Sequence, residues 1–180
     1  MPSLLIFGLG YAASHIAEAA RNSGWEINAT GSAGNLRFDD HGSVRLALAQ
    51  ATHILSSVPP LVDGDPVLST YGDAIRASPA RWIGYLSSTG VYGDTGGAWV
   101  DETAPIRGRR ENRNLADLEW QALSSEVRVF RLPGIYGPGR SALDRVAEGK
   151  AHRIALAGQV FSRIHVSDIA SAVMASVAGP

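Results

Sequence analysis

The 180-residue chain contains no cysteine, which excludes a disulfide framework, a thiolate zinc site and a cysteine nucleophile, and suits a reducing cytoplasm. It also lacks charge of one sign. Its 16 basic and 17 acidic side chains leave a net charge of -1, so no bulk field draws it to nucleic acid or anionic lipid, and any anion site must be built locally. Long hydrophobic runs are missing too: the apolar start at Leu4 to Phe7 is too short for a signal segment or a membrane span, and it runs into glycines. There are no fixed-period repeats, coiled-coil heptads or low-complexity tracts. His53, His152 and His165 lack metal-ligand spacing, and His15 and His41 are isolated, so no metal is expected.

What is present is 45% hydrophobic and 18% charged residues, which fits one globular domain spanning 1–180. Short apolar runs alternate with helical stretches: LLIF, YAASHIAEAARNSG, WEINAT, a short RFDD, SVRLALAQA, HILSSVPP, VLSTYGDAIRA, WIGYLSS and VRVFRLPG. Apolar runs without polar alternation suit strands buried on both faces, and helical connections between them make the sheet parallel. The pattern predicts an α/β fold, a doubly wound Rossmann sheet flanked by helices. Ile16, Ala19 and Ala20 form the apolar stripe of the first helix, and Gly24 sits where its C-terminal cap belongs. Residues 93–110, GDTGGAWVDETAPIRGRR, form the longest stretch without periodicity, a loop expected to border a site.

Gly8-Leu9-Gly10-Tyr11-Ala12-Ala13 ends the first strand and opens a helix, the context a dinucleotide fingerprint requires. Missing side chains let the backbone turn tightly and approach a pyrophosphate, whose charge would rest on the free N–H groups of the helix N-terminus. The alternative is a tight turn with no ligand. An NAD fingerprint places an acid about 20 residues on for the ribose hydroxyls, and here that place holds Thr30-Gly31-Ser32. A carboxylate there would repel a 2′-phosphate. Its absence, with hydroxyls and Arg37 close by, favours NADP over NAD; the alternative is a loosely held adenosine end. Asp39, after the short third strand, is placed to accept from the adenine amino group or to be a solvated turn residue. Ser56-Ser57-Val58-Pro59-Pro60 closes the next strand at the carboxyl edge, where open α/β sheets bind ligands, as a wall of the site or as a structural turn.

Four further motifs follow in order: Tyr85-Leu86-Ser87-Ser88-Thr89-Gly90-Val91-Tyr92-Gly93, Asp101-Glu102-Thr103-Ala104-Pro105, Arg131-Leu132-Pro133-Gly134-Ile135-Tyr136-Gly137-Pro138-Gly139-Arg140 and Arg163-Ile164-His165-Val166-Ser167-Asp168-Ile169. Together with the glycine turn they resemble the extended short-chain dehydrogenase/reductase superfamily, the relatives of sugar-nucleotide epimerases and dehydratases, over nearly the whole chain. The resemblance implies that Ser88, four positions before Tyr92, hydrogen-bonds the reacting oxygen. It also implies that Ser87 and Ser88 face the nicotinamide and that Pro133 and Gly134 form the turn that contacts its carboxamide.

The chain departs from the family at the general acid/base, a Tyr followed four residues later by a Lys that lowers the phenol pKa. No such pair occurs in this sequence. Aligning Asp117 and Trp120 with the family helix puts Arg109 at the tyrosine position and Arg113 at the lysine position, as in the atypical branch of the superfamily. Arg113 can hold the nicotinamide ribose but cannot exchange a proton at neutral pH. Tyr92 is the surviving phenol, a candidate acid if Arg109 or Arg113 lies beside it and otherwise a substrate-side wall. Arg107, Arg109, Arg110 and Arg113 bind an acidic substrate or cover a solvated helix face. Phe161 stands where relatives carry an Arg for a sugar nucleotide's diphosphate, with Arg163 displaced by two.

The expected protein binds NADP and moves a hydride between it and a small carbonyl or alcohol substrate, as an oxidoreductase or in an epimerisation, with Ser88, Tyr92 and Arg113 as the working residues. The rival is a non-catalytic NADP-binding sensor. Relatives continue beyond the helix of Val166 to Val177 into a substrate-binding lobe, so a C-terminal lobe is expected to be short or absent here. The resemblance also implies homodimerisation through the helices that follow HILSS and WIGYLSS.

Overall fold

In the computed structural model, which describes residues 1–152, 158 and 160–179, five parallel strands form one sheet in the order β2-β1-β3-β4-β5. They are β1 (Ser3–Phe7), β2 (Glu26–Ala29), β3 (His53–Ser56), β4 (Trp82–Ser88) and β5 (Val127–Leu132). Their non-alternating composition has a direct cause. Leu4 and Ile6 of β1 face one core and Leu5 and Phe7 the other, so each pleat position needs an apolar side chain.

Two helices, α1 (Tyr11–Asn22) and α6 (Val166–Ala178), cover the first core through Ala13, Ile16, Ile169 and Val173. The second core lies under α2 (His41–Gln50), α3 (Pro66–Arg76) and α4 (Glu111–Leu123), which contribute Leu48, Tyr71, Ile75 and Trp120. The winding direction reverses between β1 and β3, the switch point at which doubly wound sheets open a crevice. A separate pair, β6 (Gly134–Tyr136) and β7 (Arg163–His165), lies beyond β5, with α5 (Ala142–Ala147) between its strands in sequence. Among the described residues no helix is long and apolar enough to cross a membrane.

The sequence pattern placed a strand at RFDD, and the structure corrects it. Leu36 makes a single bridge to Thr30. The Asn35 side chain already accepts the Ala29 N–H at 2.8 Å, and Asp40 caps α2 by accepting from Ser43 N–H at 3.1 Å. Past Leu36 the chain turns at Phe38 and Asp39 into α2, so no ladder forms, and β2 is the edge strand.

Asp65, almost fully buried, locks α3 to α4. Its carboxylate caps α3 by accepting from Val67 and Leu68 N–H and also takes the Trp120 indole N–H at 2.9 Å, while the Trp120 ring stacks on Tyr85 at 5.1 Å. This joint fixes α4, whose first turn borders the site.

Candidate functional site

Because all five strands run parallel, their carboxyl ends and the turns after them share one edge. The Gly8 turn is held there from below. Gly8 has φ +84°, and a Cβ on it would lie 2.8 Å from Val58 Cγ2, so glycine is required by both conformation and space. Thr30, buried, accepts the Gly8 N–H on Oγ1 at 3.1 Å; its carbonyl accepts the Leu9 N–H at 2.8 Å; and Ser57 Oγ donates to the Gly8 carbonyl at 2.5 Å. Thr30, Ser57 and Val58 thus scaffold the turn, and Pro59 is exposed beyond them.

Above this turn, α1 starts at Tyr11 with Gly10 as its cap residue. No side chain caps it, and its first turn carries no acid. A Cβ on Gly10 would meet nothing within 4 Å. The first-turn N–H groups, those of Tyr11 and Ala12 among them, have no intrahelical partner and carry the positive end of the helix dipole. An open approach, an uncapped N-terminus and no local carboxylate suit a pyrophosphate. Residues 137–140 close over the helix start: Tyr11 Oη donates to the Pro138 carbonyl at 3.0 Å, and the Arg140 guanidinium lies 5.4 Å from the Tyr11 ring.

After β2, residues including Gly31, Ser32, Arg37 and Asp39 line a shallow hollow of about 450 Å³. Arg37 grips Asp39 with both edges of its fork, Nε to Oδ1 at 3.0 Å and Nη2 to Oδ2 at 2.8 Å, on the surface. This contact holds the Asp39 carboxyl below its ordinary range and occupies the acceptor that sequence reading offered to an adenine amino group. Ser32 is exposed in the same hollow.

The wider cleft begins at the end of β4, where the two adjacent serines have different roles. Ser88 Oγ accepts the Gly90 N–H at 3.1 Å and caps a 3-10 turn over Thr89–Tyr92. Ser87 Oγ donates to Asp117 Oδ2 at 2.5 Å. Asp117, fully buried on α4, also accepts from Gln121 Nε2 at 2.6 Å and from Arg131 Nη2 at 2.8 Å and Nε at 3.2 Å. Arg131 extends upward from β5, and its Nη1 donates to Tyr92 Oη at 3.1 Å and to the Glu102 carbonyl at 3.3 Å. The bond to Asp117 raises the Arg131 pKa further.

Ser88, Tyr92, Arg109, Arg110 and Arg113 line this one cleft, an open space of about 2130 Å³ that continues along the edge of β5. The cation bonded to Tyr92 is Arg131, a residue the sequence reading used only as part of a motif. The missed signal was an ionisable residue within an apolar strand, and a second one, Asp117, on the apolar side of α4 beside Ala116 and Trp120. Arg109, Arg110 and Arg113 form no ion pair among the described residues. Arg107 serves the neck of the 93–110 loop, where its N–H and that of Gly108 both donate to the Val91 carbonyl at 2.8 Å. Gly93 turns there with φ +75°, and a Cβ on it would lie 2.7 Å from the Arg107 carbonyl oxygen.

Pro133 links β5 to β6, and Gly134, the first residue of β6, donates its N–H to the Ser162 carbonyl at 3.1 Å. The only lysine in the sequence, Lys150, pairs with Glu148 at 3.0 Å beyond α5. Among the described residues no group of His, Asp or Glu side chains could hold a metal ion.

No protein-family model and no curated protein matches the chain. Among solved structures, it is similar to a functionally unknown conserved protein from Silicibacter pomeroyi, with 42% identity and a TM-score of 0.86, covering 100% of this chain and 69% of that one. The Bordetella bronchiseptica enzyme WbmH, in complex with NAD+, has a TM-score of 0.75 at 18% identity, over 99% of this chain and 73% of its own. A UDP-N-acetylglucosamine 4-epimerase from Bacillus cereus has a TM-score of 0.76 at 14% identity, over 99% and 74%. The last two likenesses concern the fold. The chain belongs to one family with the S. pomeroyi protein, and it shares the fold of the epimerase structures.

Proposed function

We propose that the chain binds a nicotinamide dinucleotide across the carboxyl edge of its sheet and supports hydride transfer to or from a small carbonyl or alcohol substrate, as an oxidoreductase or in an epimerisation. The observation that carries this reading is the uncapped, acid-free start of α1 above a turn that only glycine can form. Tyr11 and Ala12 N–H would hold the pyrophosphate and Arg113 the nicotinamide ribose. The cofactor, when bound, supplies the hydride. The remaining work is positioning: Ser88 orients the substrate oxygen, and Tyr92, with Arg131 donating to its oxygen, has its own O–H left to donate.

Two finer points belong to the proposal. NADP is favoured by the absence of an acid in Thr30-Gly31-Ser32, and Arg37 at the hollow would meet a 2′-phosphate on releasing Asp39, whereas relatives of this fold include complexes with NAD. A substrate bearing an anionic group is favoured by the guanidinium groups of Arg109, Arg110 and Arg113 in the cleft, which form no ion pair among the described residues. Homodimerisation through α3 and α4 would cover Leu115 and Leu118, each 50% exposed.

The non-catalytic sensor remains a second reading, supported by the absence of the Tyr and Lys pair from the sequence. Parallel titrations with NADPH and NADH, followed by tryptophan quenching and cofactor fluorescence, test the core of the proposal. Saturable binding of either supports it, and no binding at millimolar concentration sinks both readings. Turnover of NADPH with a panel of small aldehydes and ketones separates enzyme from sensor.

A further inference from the structure

We propose that Arg131 is the positioning residue of the cleft: one guanidinium, anchored on buried Asp117, sets both the Tyr92 phenol and the wall of the 93–110 loop. The inference rests on the reading that Tyr92 faces substrate, and it assigns the group that orients it.

Arg131 stands opposite Ser87 in the β4/β5 register, and its side chain is only 12% exposed. A cation buried this far is costly unless it is fully paired. Asp117 supplies that pairing and is itself immobilised, accepting from Ser87, Gln121 and two nitrogens of Arg131. A guanidinium is planar and rigid. Once its Nε and Nη2 edge is fixed on Asp117, the direction of Nη1 is fixed as well, and Nη1 is the atom that meets Tyr92 Oη and the Glu102 carbonyl. The same group lies 5.1 Å from the centroid of the Tyr92 ring, so it holds the phenol by face and by oxygen.

Tyr92 needs such a hold. It ends a 3-10 turn, and the loop that follows contains no helix or strand up to Arg110. Val91 secures the neck of that loop, and Arg131 ties Glu102, well beyond the neck, to the sheet. Tyr92 and the loop are therefore referenced to one group, and moving that group displaces both.

Arg131→Lys separates this role from a purely structural one. A lysine keeps the charge that Asp117 requires but has a single nitrogen, which cannot also span Tyr92 and Glu102. With tyrosine labelled with ¹³C at Cζ, the five tyrosine resonances are read in both proteins, and that of Tyr92 is identified by its loss in Tyr92→Phe. The expected result is a shift of the Tyr92 resonance alone, together with at least fivefold faster native chymotrypsin cleavage after the fully exposed Trp99. An unmoved Tyr92 resonance and an unchanged cleavage rate in folded Arg131→Lys would overturn the proposal and leave Arg131 as a partner of Asp117 only.

Should Arg131→Lys fail to fold, Tyr92→Phe leaves the Asp117 pair whole. With arginine labelled with ¹⁵N, the Arg131 Nη1 signal must then shift relative to wild type, and no shift refutes the contact. NADPH affinity is read on the same wild-type samples. Failure to bind it would remove the dinucleotide reading while the Tyr92 and Trp99 results stand on their own.

Discussion

Replacing Gly10 by valine separates ligand binding from folding at this site. Gly10 has φ -92° and ψ -168°, which any residue adopts, and a Cβ there meets nothing within 4 Å. The folded chain therefore accepts the side chain, with a stability loss of about 1 kcal/mol because valine is a poorer N-cap residue than glycine. The valine methyls, however, fill the approach to the first-turn N–H groups of α1. A hydrogen bond to a charged group contributes about 1.5–3 kcal/mol. Loss of two such bonds weakens dinucleotide binding by about 3–6 kcal/mol, at least 100-fold. The contrast is Gly8→Val, where φ +84° and the 2.8 Å approach to Val58 predict a protein that is destabilised or fails to fold. Urea unfolding and NADPH titration of wild type and Gly10→Val suffice. A folded Gly10→Val protein that binds NADPH within threefold of wild type would refute the placement of the pyrophosphate on α1.

Ser56 Oγ is fully buried among the described residues without a hydrogen-bond partner, so Ser56→Ala is expected to stabilise the fold by about 1 kcal/mol in urea unfolding; a destabilisation would show that the hydroxyl is satisfied. Burial, reinforced by the Arg81 charge, lowers the pKa of His53 to about 4, below the value of about 6.5 expected in the unfolded chain. The unfolded state thus takes up the proton first as pH falls. Stability is whole above about pH 6.5 and declines towards about pH 4, by at most about 3 kcal/mol for this group. His53→Gln should flatten that segment of the pH profile, and an unchanged slope would contradict the assignment. Arg37→Ala is expected to weaken NADPH binding about tenfold, the loss of one modest charge contact, while sparing NADH; equal effects on both would remove the case for a 2′-phosphate site.

Much of the fold was legible because burial on both faces leaves a compositional trace. β1, β3 and β4 appear as unbroken apolar runs, and the Gly8 to Ala13 turn stands between the first run and an amphipathic helix. The absent periodicity of 93–110 likewise marked the loop that borders the cleft. RFDD, with one apolar residue in four, was read as a strand from its place in the chain alone, while the fixed points at Asn35 and Asp40 are side-chain contacts that composition does not encode. At the site, Thr30 and Ser57 sit where ligand contacts were expected, yet their hydroxyls bond the Gly8 backbone. A polar side chain at a strand end serves whichever backbone group or ligand lies nearer, and spacing alone cannot distinguish them. The Asp117 and Arg131 pair was hidden for a different reason. One residue is on a helix and the other on a strand, 14 positions apart, so neither a helical nor a strand period joins them, although each breaks the apolar pattern of its own element.

The central claim is that the carboxyl edge at the start of α1 is a dinucleotide site. Amide NMR of the ¹⁵N-labelled wild type during separate additions of NADPH and NADH tests it most directly. The account predicts saturable shifts at the amides of Gly10, Tyr11, Ala12 and Ala13, extending to the 31–37 turn for the preferred cofactor. No shift at these amides up to millimolar cofactor, or shifts confined elsewhere, would contradict it.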